Sequence, residues 1–313
     1  MANAPLNPFE TEMLTAQYTP LVELLLQQKM SKLRSVCTNG GGHVGKMASP
    51  VQQLAAVDFK APAGRYSPIQ FQLPGMTRRW VFPTDRDLSI PFDRFDELKS
   101  IVDPRGGYSE ATVAAANRFF DDLLIAAALG SASTGVDASS LSTETFDSTN
   151  ALVSDSFGAS ASTGMSYPKL VEAFRIMRHR QVDLDAERPV IVIGSQQESD
   201  LKKQQEVISK DYNEKPVIEN GVVTSLAGFD IIVSERLNTS SSNSLRNCFA
   251  FVKSGLYLGL WKDMDINITQ RVDLSSQPWQ LYSMVSAGAT RTQQYKIIQV
   301  NCADTTGFDP TAP

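Results

Sequence analysis

The strongest periodic pattern in the chain runs from Tyr108 to Gly130. Its apolar positions are spaced alternately by three and four residues, and they are Val113, Ala116, Phe120, Leu123 and Ala127. A stripe of polar positions faces the other way and consists of Asn117, Arg118, Asp121 and Asp122. This spacing predicts an amphipathic α-helix over residues 108–129, roughly 30 Å long, with Ser109 as its N-cap and Gly130 just past its end. Arg118 precedes Asp122 by one turn, so the two are expected to form a salt bridge.

Residues 46–92 show a different pattern, in which two extended segments flank a stretch rich in turn residues. The segments are 51–62 and 77–92, and the stretch between them contains Gly64, Pro68, Pro74 and Gly75. The pattern predicts a long hairpin, but polar residues lie on both of its faces. Because an isolated two-stranded ribbon is marginally stable in water, so long a hairpin is expected to lie on another subunit. The residues predicted to contact that subunit are Arg78, Arg79, Trp80, Asp85, Arg86 and Asp87.

The first 36 residues form an arm in front of the main fold. Two predicted helical stretches meet at Pro20, which suits the first turn of the second one. Leu24 and Leu25 lie on its narrow apolar face, which has little of its own to pack on and is predicted to contact another subunit or the body. Three cations cluster at the end of this stretch and are candidates for phosphate contacts: Lys29, Lys32 and Arg34.

The second half of the chain mixes both patterns. Residues 131–164 are rich in Ser and Thr and contain no Lys or Arg, which predicts an exposed loop with weak strands. Residues 165–260 alternate between helices, with Pro168 and Ser195 at their starts, and short buried strands such as RPVIVIGS. Residues 264–303 are mainly extended. Strands and helices do not alternate as a regular βαβ repeat, so the predicted fold class is α+β.

Composition narrows the classes of function. The 313-residue chain is 42% hydrophobic and 20% charged, which is typical of a globular protein. Its net charge of −5 lacks the basic excess expected of a freestanding nucleic-acid binder. Cys37, Cys248 and Cys302 form no C-x-x-C pair, so buried free thiols are predicted rather than disulfides or a zinc site. The sequence shows no secretory signal and no apolar run long enough to span a membrane, which predicts a soluble protein made in a cytoplasm.

The segment TNGGGHVGKMAS resembles a phosphate-binding loop, because Gly40 to Lys46 fits the pattern G-x-x-x-x-G-K. However, Met47 replaces the Ser or Thr that would hold magnesium, no buried strand precedes the segment, and Pro50 follows too soon for a helix. Nucleotide binding is therefore disfavoured. The segment is predicted to be a flexible joint between the arm and the hairpin, with glycines that tolerate positive φ at Gly40, Gly41, Gly42 and Gly45.

Other candidate chemistry is equally weak. His43 and His179 are isolated from each other in sequence and are predicted to be solvated. Ser195 follows an apolar strand but lacks the flanking glycines of a nucleophile elbow, so it is expected to cap the next helix. The sequence therefore predicts no catalytic residue, no cofactor and no metal site.

Three stretches carry a family resemblance: QYTPLVELLLQQKMSKLRSVC, RRWVFPTDRDLSIPFDRFDELKSIVDPRGGYSEATVAAANRFFDDLLIAAALG and GATRTQQYKIIQV. Their Q-Y…Q-Q-x-x-S-K-L-R arm, D-P…Y…A-x-x-R-x-x-D-D helix and late G-A-T-R resemble the major capsid proteins of tailed double-stranded DNA bacteriophages. The resemblance covers roughly residues 15–303 and is weakest in the Ser-rich insert. It implies a Hong Kong 97-type fold with an N-terminal arm, an extended loop, a peripheral domain containing a long spine helix, and an axial domain.

The resemblance also implies a division of the chain and a function. Residues 1–45 would be the arm, 46–92 the extended loop, 93–164 with 256–313 the peripheral domain, and 165–255 the axial domain. The protein would form hexamers and pentamers of an icosahedral shell, assembled in the host cytoplasm around double-stranded DNA. It would contact the packaged DNA without sequence specificity, and the cation cluster Lys29, Lys32 and Arg34 is the candidate for that contact. A portal protein, scaffolding or decoration proteins would be further partners.

Two alternatives stay open at this point. An encapsulin-type compartment has the same fold and would enclose a cargo enzyme in place of DNA. More distantly, a nucleotide-binding enzyme would use the loop from Gly40 to Lys46.

Overall fold

The computed structural model describes residues 26–61, 64–69, 71–92, 105–204, 223–240, 245–275 and 277–304. Within these ranges the chain folds into three β-sheets and three α-helices, and the helices and two of the sheets share one large apolar core. The predicted interface residues Leu24 and Leu25 lie outside the described residues. The mixed content of helix and strand confirms the predicted α+β class.

The longest helix, α1, spans Arg105–Leu129 and begins three residues before the predicted start at Tyr108. Ser109 therefore lies within the helix and does not cap it. The predicted end is confirmed, because the N–H of Gly130 donates to the carbonyl of Ala126 at 2.9 Å. With 25 residues, α1 is about 37 Å long.

The long sheet has four strands in the order β1 (Thr38–Gly40), β13 (Leu256–Gln270), β14 (Trp279–Arg291) and β4 (Thr84–Phe92). Helix α1 packs against β13 and β14. Its buried face differs from the predicted stripe, since Val113 is exposed while Leu124 and Ile125 are buried. The face is wider than a single stripe because α1 meets the rest of the core as well as the long sheet.

The central sheet has seven strands. Its order is β7 (Leu152–Val153), β15 (Ile297–Ala303), β12 (Leu245–Phe251), β8 (Val190–Ile193), β10 (Phe229–Val233) and β9 (Ser225–Leu226), with β11 (Thr239–Ser240) beside β12. Every residue of β8 is buried, as its continuous apolar run predicts. Helix α2 (Tyr167–His179) packs on β15 and β7, and α3 (Ser195–Lys202) follows β8. Gly194 occupies the N-cap position of α3, so the prediction that Ser195 caps this helix is wrong by one residue.

The loop sheet contains β2 (Ala48–Leu54), β3 (Met76–Val81), β5 (Ala132–Gly135) and β6 (Ser142–Glu144). Among the described residues of the predicted hairpin, strand pairing is confined to its base, and the Ser-rich insert supplies two short strands that extend it. The predicted strand over 77–92 is broken at Phe82 and Pro83, because β3 and β4 belong to different sheets. The break lies where the Phe82 carbonyl approaches Gly288 so closely that a Cβ atom there would collide with it.

A buried cation joins the end of α1 to these sheets. Arg291, the last residue of the G-A-T-R sequence, has no solvent exposure. Its Nη1 donates to the carbonyls of Ala128 at 3.1 Å and Gly130 at 2.8 Å, and its Nη2 donates to the carbonyl of Glu144 at 3.4 Å. Carbonyls at the end of a helix lack helical partners and attract a positive charge. Burial lowers the pKa of Arg291, so these hydrogen bonds offset part of a desolvation cost.

We expect Arg291→Met to lower the free energy of unfolding of the unassembled subunit by about 1–3 kcal/mol, because the change leaves buried carbonyls without donors. Arg271→Met is the matched control. Arg271 pairs with Asp273 in an exposed turn, so its loss should change stability by less than about 1 kcal/mol. Urea denaturation measures both variants, and equal losses would contradict the structural role of Arg291.

Candidate assembly surfaces

The described part of the tip of the extended loop, residues 55–61, 64–69 and 71–75, presents large apolar side chains to solvent. Phe59 is fully exposed, and Phe71 and Leu73 are 90% and 94% exposed. Tyr66 and Ile69 are exposed to a similar degree. Apolar side chains this exposed and this close together in sequence are typical of an association surface. The prediction from sequence named charged residues of the hairpin instead, although FQLPG and its neighbours already showed apolar residues within a turn-rich segment.

The base of the loop is bound within the subunit. Arg79 is only 5% exposed, its Nε donates to the carbonyl of Thr292 at 2.8 Å, and its guanidinium pairs with the carboxylate of Glu144. The prediction that Arg79 contacts another subunit is therefore wrong, because β5 and β6 bring a carboxylate to it first. Trp80 is half-buried and donates to the carbonyl of Gly135 at 3.2 Å. Arg78 beside it is half-buried, and for both residues an intersubunit contact stays a prediction.

An apolar groove lies between β4 and α1. It encloses about 240 Å³, and its lining includes Leu88, Ala115, Phe119 and Val285. Arg86 and Asp87 lie on its rim, and both are exposed together with Asp85. Contact of these three charged residues with another subunit remains a prediction that the exposure permits.

The glycine segment does not have the architecture of a phosphate-binding loop. Gly40 ends the short strand β1, which runs parallel to β13, and the next element is the strand β2 rather than a helix. Lys46 is exposed to solvent. A phosphate-binding loop needs a helix whose N-terminal amides face the phosphates, so this segment lacks the essential part.

The same segment is held against β13. The N–H of His43 donates to the carbonyl of Leu260 at 3.3 Å, and its Nε2 lies 2.8 Å from the hydroxyl of Tyr257. The indole of Trp261 donates to the carbonyl of Gly45 at 2.8 Å. His43 is half-buried in these contacts, so the prediction of a solvated side chain is wrong.

The four glycines of this segment have different roles. A side chain at Gly40 would collide with the ring of Tyr257, so glycine there permits close approach of two strands. Gly42 and Gly45 have φ values of 76° and 97°, as expected for glycines that take the left-handed conformation. A Cβ atom at Gly41 would meet no other atom within 4 Å. Flexibility of this segment as a joint between the arm and the hairpin stays a prediction. In the conformation that the structure describes, the segment is bound to β13.

The arm is held by a buried carboxylate of α1. Asp121 has no solvent exposure, and its two oxygens accept from Nε2 of Gln28 at 2.5 Å, Oγ of Ser31 at 2.6 Å, and the N–H groups of Lys32 at 3.0 Å and Leu33 at 3.2 Å. We call this arrangement the Asp121 clasp. A carboxylate has about four acceptor sites, so it is fully used here.

Neighbouring polar residues of α1 extend the clasp. Asn117 donates to the carbonyl of Lys29 at 2.9 Å, and Arg118 donates to Oε1 of Gln27 at 2.8 Å and to the carbonyl of Gln28 at 3.2 Å. Three of the four residues of the predicted polar stripe, Asn117, Arg118 and Asp121, therefore bind the arm. Residues 27–36 are not an α-helix, so the prediction of helix there is wrong; several of their polar groups bond to α1 instead of to each other.

The predicted salt bridge between Arg118 and Asp122 does not form. Both oxygens of Asp122 accept from Arg236, at 2.6 Å from Nε and 2.5 Å from Nη2. Arg118 is occupied by the arm. Both side chains find partners from distant parts of the chain with better geometry than a one-turn pair on the same helix provides.

The three cations predicted to face DNA already have partners within the subunit. Lys32 Nζ donates to the carbonyl of Val233 at 2.7 Å, and Lys29 lies 4.0 Å from Glu110. Arg34 binds Asp263 with its Nη2 at 2.6 Å, and its guanidinium lies 4.8 Å above the ring of Phe120. A role in DNA contact stays a prediction for these residues. The carboxylates of Glu110 and Asp263 offset part of the positive charge of Lys29 and Arg34.

The cysteines are free and buried, as predicted. Burial raises the pKa of the Cys37 thiol to about 11, above its ordinary value of 9.0. In the described part of the chain, no group of three His, Cys, Asp or Glu side chains is arranged to hold a metal ion. No helix among the described residues is long and apolar enough to cross a membrane.

A family comparison finds one match that covers nearly the whole chain. The sequence model of a family described as phage capsid protein matches residues 11–304. A search of curated protein sequences finds no match. The family assignment therefore comes from the sequence model, which extends through the arm, all three sheets and α1.

Solved capsid structures share this fold at low sequence identity. The capsid protein of the cyanophage P-SCSP1u is 15% identical, with a TM-score of 0.73 over 97% of each chain. That of the cyanophage Pam1 is 12% identical, with a TM-score of 0.72 over 98% of this chain and 100% of that chain. A capsid chain of a GTA particle is also 12% identical, with a TM-score of 0.68 over 97% of this chain and 100% of that one.

We expect Asp121→Asn to destabilise the unassembled subunit by about 3 kcal/mol, because an amide nitrogen replaces an acceptor and leaves arm donors unpaired. Asp122→Asn is the neighbouring control. Its pair with Arg236 is partly exposed, so the loss should stay below about 1 kcal/mol. Urea unfolding compares the two variants, and a larger loss for Asp122→Asn would show that the clasp is not the stronger contact.

The raised pKa of the Cys37 thiol predicts that the free energy of unfolding decreases at alkaline pH. The thiol holds its proton more tightly in the folded state than in the unfolded state. Its contribution to the free energy of unfolding is therefore complete below pH 9 and is lost as pH rises through about 11. Between pH 8 and pH 10.5 the wild type should lose about 2 kcal/mol more than Cys37→Ala. Urea unfolding at both pH values tests this, and parallel losses in the two proteins would refute it.

Proposed function

Because the chain belongs to the phage capsid protein family, we propose that it assembles as hexamers and pentamers into an icosahedral head around double-stranded DNA. It is a structural protein of the virion, not an enzyme, and it forms the shell with copies of itself. Its architecture is the Hong Kong 97-type fold seen in the similar capsid structures. Family membership favours a phage head over an encapsulin-type compartment, and the helix-free glycine segment argues against a nucleotide-binding enzyme.

We propose the division into an arm (1–45), an extended loop (46–92), a peripheral domain (93–164 and 256–313) and an axial domain (165–255), with one amendment. Strand β15 pairs along its whole length with β12, and β7 pairs with β15. We therefore assign these two strands to the axial domain in our proposed division, although the chain order suggested the periphery. Helix α1 is the spine helix in this division.

The exposed tip of the extended loop is the observation that carries the assembly proposal. Phe59, Phe71 and Leu73 have no partner surface among the described residues of their own subunit, as their exposure of 90% or more shows. Fully burying one such side chain contributes about 1.5–3 kcal/mol. Placing the tip on a neighbouring copy removes this apolar surface from water, and a closed shell repeats the contact at every subunit.

The apolar groove beside α1 is a surface of suitable character for that tip. Its lining is apolar at Leu88, Ala115 and Phe119, while Arg86 and Asp87 supply both charge signs at the rim. The tip likewise carries both signs, at Asp58, Lys60 and Arg65. Apolar contact with flanking charge pairs is typical of specific protein interfaces.

The remaining partners follow from the proposed shell. A net charge of −5 suits a wall that contacts DNA weakly and without sequence specificity, since strong attraction would oppose packaging and release. A portal protein would occupy a vertex of such a shell, scaffolding or decoration proteins would be further partners, and assembly would take place in the host cytoplasm. Electron microscopy and nucleic-acid analysis of purified particles would separate DNA-filled heads from shells that hold a protein cargo.

We expect the double variant Phe59→Ser/Phe71→Ser to fold normally yet fail to form shells, because both side chains are exposed in the subunit and would be buried only on assembly. Arg175→Ser/Arg178→Ser changes two exposed residues of α2, away from the tip and the groove, and serves as the control; its shells should persist. Sedimentation and electron microscopy measure assembly, and circular dichroism checks the fold. Normal shells from the double Phe variant would rule out the tip as an assembly contact.

A further inference from the structure

One short segment of the arm touches three separate parts of the fold. Residues 27–34, which we call the pin segment, bind α1 through the Asp121 clasp. Lys32 Nζ reaches the carbonyl of Val233 at the end of β10 in the central sheet, 2.7 Å away. Arg34 binds Asp263 on β13 in the long sheet, at 2.6 Å and 3.4 Å from its two terminal nitrogens. The pin segment therefore sits where the two large sheets meet α1.

A second contact at the same corner reinforces this link. Arg236 follows β10 and makes a two-pronged hydrogen bond to Asp122, the residue next to the clasp on α1. Adjacent residues of a helix point about 100° apart, so Asp121 and Asp122 reach two different neighbours from one level of α1. The arm and the central sheet are thus bound to the same turn of the spine helix.

The contacts of the pin segment differ in how deeply they are buried. Asp121 and Leu33 are fully buried, so their contacts belong to the stable core. Arg34 and Asp263 are partly exposed, with side chains 32% and 53% accessible. Surface ion pairs contribute little to overall stability. Breaking this pair should loosen the link to the long sheet without unfolding the subunit.

We propose that the pin segment fixes the angle between the central sheet and the long sheet, and that this angle sets the curvature of the assembled shell. The inference rests on the proposed shell function. In a closed assembly the rotation between neighbouring copies decides where the surface closes, so a change of shape within each copy changes the size of the shell. A subunit whose two large sheets are held at one angle closes at one diameter.

The pair between Arg34 and Asp263 gives the sharpest test. Arg34→Asp places two carboxylates opposite each other, and Asp263→Arg places two cations there. We expect each single variant to assemble with a spread of shell diameters at least about twofold wider than the wild type. The double variant Arg34→Asp/Asp263→Arg restores opposite charges and should restore the narrow distribution.

The exposed pair Arg271–Asp273 provides a matched control. It is also two-pronged, at 2.7 Å and 2.6 Å, but it lies in the turn between β13 and β14, where Arg271 also donates to Oε1 of Gln280 at 2.9 Å. It therefore joins only neighbouring strands of the long sheet. Arg271→Asp should therefore leave the diameters unchanged. Diameters are measured by electron microscopy of assembled particles, and urea unfolding records the stability of each unassembled subunit.

The outcomes separate this inference from the function on which it rests. If the wild type forms no shells under any condition, the proposed function itself fails. If the wild type forms shells and both single variants form shells of the same narrow diameter, the pin does not set curvature, even where the variants are less stable. A double variant as heterogeneous as the singles would also overturn the proposal, because the restored charge pair would then have no effect.

Discussion

Asp121 occupies the middle of α1 without any contact with solvent, and a charge in that position is tolerated only when every acceptor site is used. Gln28, Ser31 and the backbone of Lys32 and Leu33 supply the four donors. This requirement explains several features together. The arm adopts an irregular turn because its amides are committed to the carboxylate. Leu33 and Cys37 are buried beside it, so this described part of the arm belongs to the core.

A second buried charge organises the other end of α1. Arg291 satisfies carbonyls at the C-terminus of the helix and also reaches Glu144, whose carboxylate binds Arg79 at the base of the extended loop. The position of the loop is therefore linked to the end of the spine helix through two arginines and one glutamate. The structure explains two residues of the G-A-T-R sequence. Gly288 leaves room for the carbonyl of Phe82, and Arg291 donates to carbonyls at the C-terminal end of α1.

The tip of the extended loop and the groove beside α1 are suited to association with other copies of the chain. The exposed tip of the extended loop has large apolar side chains but few contacts within the subunit, whereas its base is tied down by hydrogen bonds and an ion pair. A rigid base and an unpartnered apolar tip are what a repeated contact between identical copies requires, because the tip must arrive at its partner in one orientation. The apolar groove between α1 and β4 offers a surface of matching chemistry.

The sequence by itself determined the α+β class, the end of α1 just before Gly130, the buried strand β8, the start of α2 and the free cysteines. Each of these features depends on local periodicity or on residue type. Its family motifs also identified the capsid fold. Only the tertiary structure decided which partners the charged residues take. Arg118 turned to the arm and Asp122 to Arg236, although their spacing favoured each other, and Arg79 found Glu144 within the subunit. The predicted strand over 77–92 was divided between two sheets for the same reason: hydrogen bonds and ion pairs between segments far apart in sequence are set by how the chain packs, and no local pattern records them.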